Sequence, residues 1–296
     1  MKLITIISLL FILVIFISCE DIIDIKLSDE NVDLYAVEAK ITTYNNPYVF
    51  LYKSQLVSFD NAYPGISGAI VTISDNSTPQ KTIYLQESTE KRGLYITKSG
   101  YSYHGEPGKE YTLNITVDGV KITATEFLAP VEPIDSIQVR PSIRGDYQFL
   151  GILTYGNEPA GLGDYYKWDI YLNNNLLYPS DYLVIASDEL VDGNYIDGFE
   201  IYTDFHDPKK PEDRKINLGD TIQVKQTSIS KFAYYFYYQM LNQGQTGGLF
   251  SVPPANIKSN FSASDGREVL GIFTANDVSP SNVVIVDETI EGGLKK

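Results

Sequence analysis

The chain has 296 residues, of which 38 are acidic and 23 basic, and its formal net charge is −15. This balance argues against nucleic acid and anionic lipid surfaces as partners, because both bind basic patches. The apolar content of 43% is ordinary for a folded globular protein, and the single cysteine excludes a disulfide within one chain.

Residues 1–18 have the organisation of a secretory signal peptide. Lys2 precedes an apolar run over residues 3–17, and the small residue Ser18 stands before the expected cleavage point. Cys19, directly after that point, completes a pattern similar to a bacterial lipobox. In that motif the thiol receives a diacylglycerol group, the signal peptide is removed, and the cysteine becomes the acylated first residue, which carries fatty-acid chains such as palmitate. The alternative is an uncleaved transmembrane anchor, because about 17 apolar residues reach the lower limit for spanning a bilayer.

An acidic tether is expected over residues 19–33. Glu20, Asp21 and Asp24 resemble the acidic tag that Bacteroidota lipoproteins carry after the acylated cysteine when they are displayed on the cell surface. We therefore expect a lipoprotein of the outer membrane that faces the cell exterior, with Glu20 and Asp21 as its surface-export signal. A merely solvated tether on a protein that faces the periplasm is the alternative, since acidic residues suit both.

Residues 34–129 read as short strands separated by turn signals. The segment "YTLNITVDGVKITATEF" alternates apolar and polar residues, and Asp118-Gly119 is a favoured two-residue hairpin turn. Some seven strands at this spacing predict an immunoglobulin-like β-sandwich. Pro130 and Pro133 in "LAPVEPIDS" then predict a stiff link between two domains.

Residues 134–296 predict a second β-rich domain that carries one amphipathic helix over about residues 228–243. The apolar face predicted for this helix consists of Ile229, Phe232, Ala233, Phe236 and Met240. Ser228 is expected to cap the start of the helix and Gly244 to end it. The predicted fold class is therefore mainly β, with two domains and one helix.

The opposite face of this helix is also aromatic, with Tyr234, Tyr235 and Tyr238 between Lys231 and Asn242. A helix that is apolar nearly all round is usually buried on both sides, so burial is the first interpretation. The alternative is an exposed tyrosine surface that contacts a partner protein or a glycan, because interfaces favour tyrosine.

Residues that could carry catalysis are few. The two histidines, His104 and His206, lie in polar, turn-rich segments that are typical of solvated loops. The sequence has neither a G-x-S-x-G nucleophile elbow nor an H-E-x-x-H zinc helix, and lipidation would consume the thiol of Cys19. We therefore predict no catalytic or cofactor-binding residues.

One acidic segment, "SDELVDGNYIDG", invites comparison with a calcium-binding loop. It contains Asp188, Glu189, Asp192 and Asp197, but Ile196 stands where the calcium template needs an oxygen ligand. The pairs Asp192-Gly193 and Asp197-Gly198 instead indicate two tight turns. We therefore predict turns here and no metal site.

Five segments carry a resemblance to a known family: "CEDIID", "ISGAIVTISD", "GKEYTLNITVDG", "APVEPIDSI" and "GGLFSVPPANIKSNFSASDGREVLGIFTANDV". Together they resemble the Bacteroidota lipoprotein family of domain of unknown function 4249. The last segment is the most specific, with residues 253–256, Asn260 and Gly271-Ile272-Phe273. The resemblance implies a surface lipoprotein encoded beside a TonB-dependent receptor, and the family offers no established catalytic residues to transfer.

These observations favour a non-catalytic outer-membrane lipoprotein that assists a TonB-dependent transporter, either by capturing a glycan or peptide ligand or by capping the receptor. Two alternatives remain open, an extracellular enzyme that acts on a polymer and an adhesin or structural component of the envelope.

Overall fold

The computed structural model describes residues 34–54, 63–144, 147–177, 183–203, 216–244, 257–288 and 290. The predicted signal peptide and acidic tether lie outside the described residues. No helix in the described part of the chain is long and apolar enough to cross a membrane.

The first part of the chain folds into the strands that its alternating pattern predicts. They are β1 (Tyr35–Thr42), β2 (Tyr48–Lys53), β3 (Ile70–Asp75), β4 (Thr82–Glu87), β5 (Leu94–Ile96), β6 (Glu110–Val117) and β7 (Val120–Phe127). The predicted hairpin joins β6 to β7, and its turn residues Asp118 and Gly119 both have positive φ angles, 49° and 76°. The mainly β character expected from the sequence is thus confirmed.

These strands belong to a nine-stranded sheet with the order β15-β7-β6-β3-β4-β5-β2-β1-β16. The sheet encloses one apolar core, whose largest buried side chains include Tyr35, Tyr95, Tyr111, Leu113, Ile115 and Phe273. Its two edge strands, β15 (Ser262–Ala263) and β16 (Val269–Asn276), come from the C-terminal part of the chain. Within the described residues, the predicted domain of residues 34–129 therefore supplies seven of the nine strands of its own sheet.

The pairing of β16 with β1 depends on a glycine. The two strands run parallel, with Val37 opposite Gly271. Gly271 has a φ angle of 99°, and a Cβ atom at this position would lie 2.0 Å from the carbonyl oxygen of Val37. The close approach of the two backbones thus requires glycine.

The remaining strands form two smaller sheets. A three-stranded sheet has the order β13-β9-β8, and a six-stranded sheet has the path β11-β10-β14-β17, with β12 paired to β10 and β18 to β14. Their bounds are β8 (Ile134–Arg144), β9 (Tyr147–Asn157), β10 (Tyr165–Leu172), β11 (Asn175–Leu176), β12 (Val184–Ser187), β13 (Tyr195–Thr203), β14 (Thr221–Ser228), β17 (Val278–Pro280) and β18 (Val284–Ile285). Both sheets share a second core that contains Ile152, Trp168, Ile170 and Val224.

Helix α1 spans Lys231–Gly244, close to the predicted range. Its cap is Ser230, whose Oγ accepts a hydrogen bond from the backbone N–H of Ala233 at 3.1 Å, so the prediction that Ser228 caps the helix is wrong. Ser228 is the last residue of β14, and its hydroxyl donates to the carbonyl oxygen of Ala129 at 2.6 Å.

The predicted apolar face of α1 is buried only in its first half. Ile229, Ala233 and Phe236 are buried, whereas Met240 is 45% exposed. Met240 lines a cavity beside the helix and does not pack into the core, and this explains why its expected burial fails.

The proline-rich link between the halves is tied to the C-terminal segment by hydrogen bonds. The backbone N–H of Val131 donates to Asp277 Oδ2 at 3.0 Å, and the N–H of Ile134 donates to Ser279 Oγ at 3.0 Å. The other carboxylate oxygen of Asp277 accepts from the hydroxyl of Thr43 at 2.7 Å. One aspartate therefore joins the end of β1, the link and the start of β17.

Candidate functional site

The predicted contact residues on α1 are partly exposed, contrary to burial on both sides of the helix. Tyr235 is 47% exposed and Tyr238 is 49% exposed. Tyr234 is partly buried and lies with its ring centroid 5.1 Å from Tyr165 and 6.4 Å from Tyr238, nearly parallel to the latter. We call Tyr165, Tyr234, Tyr235 and Tyr238 the tyrosine surface. It offers flat aromatic area and hydroxyl groups to a partner.

An aromatic pocket of about 260 Å³ lies between the two smaller sheets. Its aromatic walls are Tyr155, Tyr166, Trp168 and Phe199. The Trp168 ring lies 5.9 Å from Tyr166 and 5.8 Å from Phe199, centroid to centroid. We call this the Trp168 pocket. Rings at such distances form a wall that can bury an apolar group or attract a cation.

The alternation of β10 explains the position of the pocket's main residues. Tyr166, Trp168 and Ile170 are buried on one face of the strand, while Lys167 and Asp169 point to the other face. The indole Nε1 of Trp168 donates a hydrogen bond to Gln226 Oε1 on β14 at 3.0 Å, which fixes the ring.

A buried carboxylate lines the same pocket. Glu158 is 6% exposed, and its Oε1 accepts a hydrogen bond from the hydroxyl of Tyr166 at 2.8 Å. Asp188, 1% exposed, accepts at one oxygen from the backbone N–H groups of Gly163 and Asp164, at 2.8 Å and 3.0 Å. One carboxylate oxygen from each of Glu158, Asp164 and Asp188 lies within 4.8 Å of the others. We call these three residues the carboxylate cluster.

The acidic groups of the carboxylate cluster disfavour each other's ionised forms. Burial raises the pKa of Glu158; the hydrogen bond from Tyr166 opposes this, and the charges of Asp164 and Asp188 raise the pKa further. Burial and the charge of Asp188 also raise the pKa of Asp164. Within the described part of the chain, no lysine or arginine forms an ion pair with these three carboxylates. The cluster can therefore accept a cation, either a divalent metal ion or an ammonium group.

Replacing Glu158 with Gln should stabilise the unliganded protein, by about 1 kcal/mol at neutral pH. Gln can still accept the hydrogen bond from Tyr166 but carries no charge. The folded state raises the pKa of Glu158 above its ordinary value of 4.5. As the pH rises from 4.5 through the folded-state pKa, ionisation of Glu158 therefore lowers the free energy of unfolding. The gain should therefore be present at pH 7 and vanish below about pH 4. Urea unfolding of both proteins at the two pH values measures it; an equal gain at both would contradict the electrostatic explanation.

The acidic segment singled out in the sequence contributes one residue, Asp188, to this cluster. Asp192 instead accepts a hydrogen bond from the backbone N–H of Gly161 at 2.5 Å, and the turn predicted at Asp192-Gly193 is confirmed by the positive φ of Gly193. The turn predicted at Asp197-Gly198 is wrong, because both residues lie inside β13 at a β-bulge. Glu158 and Asp164 were missed because they flank other strands and share no spacing motif with Asp188.

The two histidines lie apart from this pocket or outside the described residues. The ring Nε2 of His104 is 3.2 Å from the hydroxyl oxygen of Ser102, and both side chains are exposed. No carboxylate hydrogen-bonds to His104 among the described residues. His206, like Cys19, Glu20 and Asp21, lies outside the described residues.

The Asn and Gly positions of the family-like segment have structural roles. Asn260 Oδ1 accepts from the backbone N–H of Phe273 at 3.0 Å, and its Nδ2 donates to the carbonyl oxygen of the same residue at 2.8 Å. Asn260 Nδ2 also donates to the buried carboxylate of Glu126 at 2.8 Å. Asn260 and Gly271 together thus position β16 in the first sheet.

Comparison with known proteins supports the resemblance seen in the sequence. The family model described as "Domain of unknown function (DUF4249)" matches residues 20–281. No curated protein matches the chain.

Proposed function

The chain belongs to the DUF4249 family, and from that premise we propose that it is a lipid-anchored protein of the outer-membrane surface that captures a small ligand for a TonB-dependent transporter. The proposal assigns the anchor to Cys19 and the signal for surface display to Glu20 and Asp21. The ligand-binding role is supported by the Trp168 pocket, an aromatic cavity with a buried carboxylate in its wall.

The pocket's chemistry favours a ligand that has an apolar body and an ammonium group. The rings of Trp168, Tyr166 and Phe199 can bury the apolar part. The second carboxylate oxygen of Glu158, Oε2, has no hydrogen-bond partner among the described residues and can accept from the ammonium group. The free amino end of a short peptide, beside an aromatic or aliphatic side chain, combines both features.

The tyrosine surface is the part of the protein that we assign to contact with the receptor. Tyrosine is enriched among the residues that dominate binding energy at protein interfaces. Tyr235 and Tyr238 expose about half of their side chains and so can be covered by a partner without unfolding α1.

Trp168 makes the ligand-binding role directly measurable, because it is the only tryptophan in the chain. The chain from Glu20 to Lys296 would be titrated with phenylalaninamide and with N-acetylphenylalaninamide, whose amine is blocked. We expect saturable change in the emission of Trp168 with the first, and binding at least about tenfold weaker with the second, for the loss of one charge-assisted hydrogen bond.

Glu158→Gln should abolish the preference for the free amine, whereas Glu90→Gln, a change of an exposed glutamate elsewhere, should keep it. Absence of any emission change with both compounds would contradict ligand capture in this pocket. An effect of Ca²⁺ alone would reassign the carboxylate cluster to metal binding.

A further inference from the structure

A second cavity, of about 490 Å³, lies between the outer face of the first sheet, strand β10 and helix α1. Glu38 and Lys40 of β1 form one wall, Lys167 and Asp169 of β10 form the opposite wall, and Phe236 of α1 closes a third side. We call it the Lys40 cavity. It brings together three elements that are far apart in the sequence.

Strand alternation places the charged residues in this cavity. Val37 and Ala39 of β1 are buried in the core of the first sheet, so Glu38 and Lys40 point to the opposite face. On β10 the same alternation sends Trp168 into its own pocket and directs Lys167 toward the Lys40 cavity. The two cavities thus lie on opposite faces of β10.

Lys40 differs from the other charged residues of this cavity because, among the described residues, it makes no direct polar contact through its side chain. Lys167 forms an ion pair with Asp169, and Glu38 accepts a hydrogen bond from the hydroxyl of Tyr48 at 2.7 Å. Among the described residues, none forms an ion pair or side-chain hydrogen bond with the ammonium group of Lys40. A lysine that faces a cavity without a partner is costly unless an anion binds there.

The cavity wall carries both positive and negative side chains, and Lys40 lies among them. Burial lowers the pKa of Lys40 and the neighbouring charge of Lys167 lowers it further, whereas the charges of Asp169 and Glu38 oppose this shift. Burial alone would raise the pKa of Asp169, but Lys167, Lys40 and Lys225 together hold it below its ordinary value. The charged lining of the cavity thus consists of two lysines and two acidic residues, and Lys40 is the one for which no ion pair or side-chain hydrogen bond is found in the described part of the chain.

The rest of the cavity wall is largely apolar. Its apolar side chains include Leu176, Leu177, Leu183, Phe236, Met240 and Ile272. We propose that the Lys40 cavity binds a small organic carboxylate, whose carboxylate group contacts Lys40 and whose hydrocarbon part packs on this apolar wall. The cavity volume falls within the range of ligand pockets, about 300–1,000 Å³.

Lys40 and the apolar wall together favour a small organic carboxylate over both inorganic phosphate and a neutral alcohol. Inorganic phosphate would satisfy the charge of Lys40 but leave the apolar wall uncovered. A neutral alcohol would cover the apolar wall but leave the ammonium group without an anionic hydrogen-bond acceptor in direct contact. The Trp168 pocket, with Glu158 in its wall, has the opposite preference, so the two sites are distinguishable by ligand charge.

Calorimetric titration of the chain from Glu20 to Lys296 with octanoate tests the proposal. This chain contains the whole compact unit of residues 33–296. We expect saturable binding of octanoate, and binding of octanol at least about tenfold weaker, since the two compounds differ in the charge-assisted contact. No binding of octanoate, or equal binding of octanol, would overturn the proposal. Binding of inorganic phosphate without binding of octanoate would overturn the assignment to an organic carboxylate.

Two variants locate the site and remain informative if one of them fails to fold. Lys40→Met keeps an unbranched side chain without the charge and should weaken octanoate binding at least about tenfold, whereas Lys121→Met, at an exposed lysine on β7, should not. Met240→Glu, at a half-exposed position in the cavity wall, adds a repelling carboxylate and should weaken binding to a similar extent. Unchanged octanoate binding in a folded Lys40→Met or Met240→Glu protein would place the ligand elsewhere and overturn the proposal.

Discussion

Replacing Gly271 with Ala is expected to reduce the free energy of unfolding by on the order of 3–5 kcal/mol, enough to unfold much of the protein at ambient temperature. The added Cβ atom would lie 2.0 Å from the carbonyl oxygen of Val37, and this atom belongs to the backbone of the paired strand. Neither strand can move away without breaking the β1–β16 pairing. The φ angle of 99° adds strain for any residue with a side chain.

Gly266→Ala is the matched control for this change. Gly266 also has a positive φ angle, 77°, but a Cβ atom there would meet no atom within 4 Å. It should therefore cost only about 1 kcal/mol, from the backbone conformation alone. Urea unfolding of both variants, followed by circular dichroism, compares them. Equal losses would show that the backbone conformation, and not the close approach of β16 to β1, accounts for the need for glycine.

The strands were predictable because their signal is local. Alternation in "YTLNITVDGVKITATEF" and the Asp118-Gly119 pair determine the β6–β7 hairpin within a few residues of one another. The partner of an edge strand has no such signal. Nothing in the alternation of β1 indicates that Val37 pairs with Gly271, more than two hundred residues later in the chain. The contribution of β15 and β16 to the first sheet was therefore not anticipated.

The candidate site was harder to predict than the fold for the same reason. Trp168 was not singled out in the sequence, and its neighbours Glu158 and Asp188 come from separate loops that the fold brings together. The exposure of Tyr235 and Tyr238 agrees with the alternative interpretation of the helix, which the sequence favoured less because an all-round aromatic helix is usually buried. The hydroxyl group of tyrosine can be hydrated at a surface although its ring is apolar. The pattern of apolar residues alone therefore could not distinguish a buried tyrosine face from an exposed one.

Changing both Tyr235 and Tyr238 to Ala is expected to remove the receptor contact and leave the fold intact. Each side chain is about half exposed and has one ring contact with Tyr234, so its loss should lower the free energy of unfolding by only about 1 kcal/mol. At an interface, loss of a dominant tyrosine typically costs about 2 kcal/mol or more, so receptor recovery should fall at least about tenfold. Tyr84→Ala is the matched control, because Tyr84 is 70% exposed on β4, away from α1.

Affinity purification of the full-length chain from detergent-solubilised native membranes tests whether this protein serves a TonB-dependent transporter. Each variant would be purified through the same C-terminal tag, and the recovered proteins would be identified and quantified by mass spectrometry. We expect a TonB-dependent receptor to be recovered with the wild type and with Tyr84→Ala, and to be lost with the Tyr235→Ala and Tyr238→Ala double variant. Recovery of no such receptor with the wild type, or equal recovery with the double variant, would contradict this role.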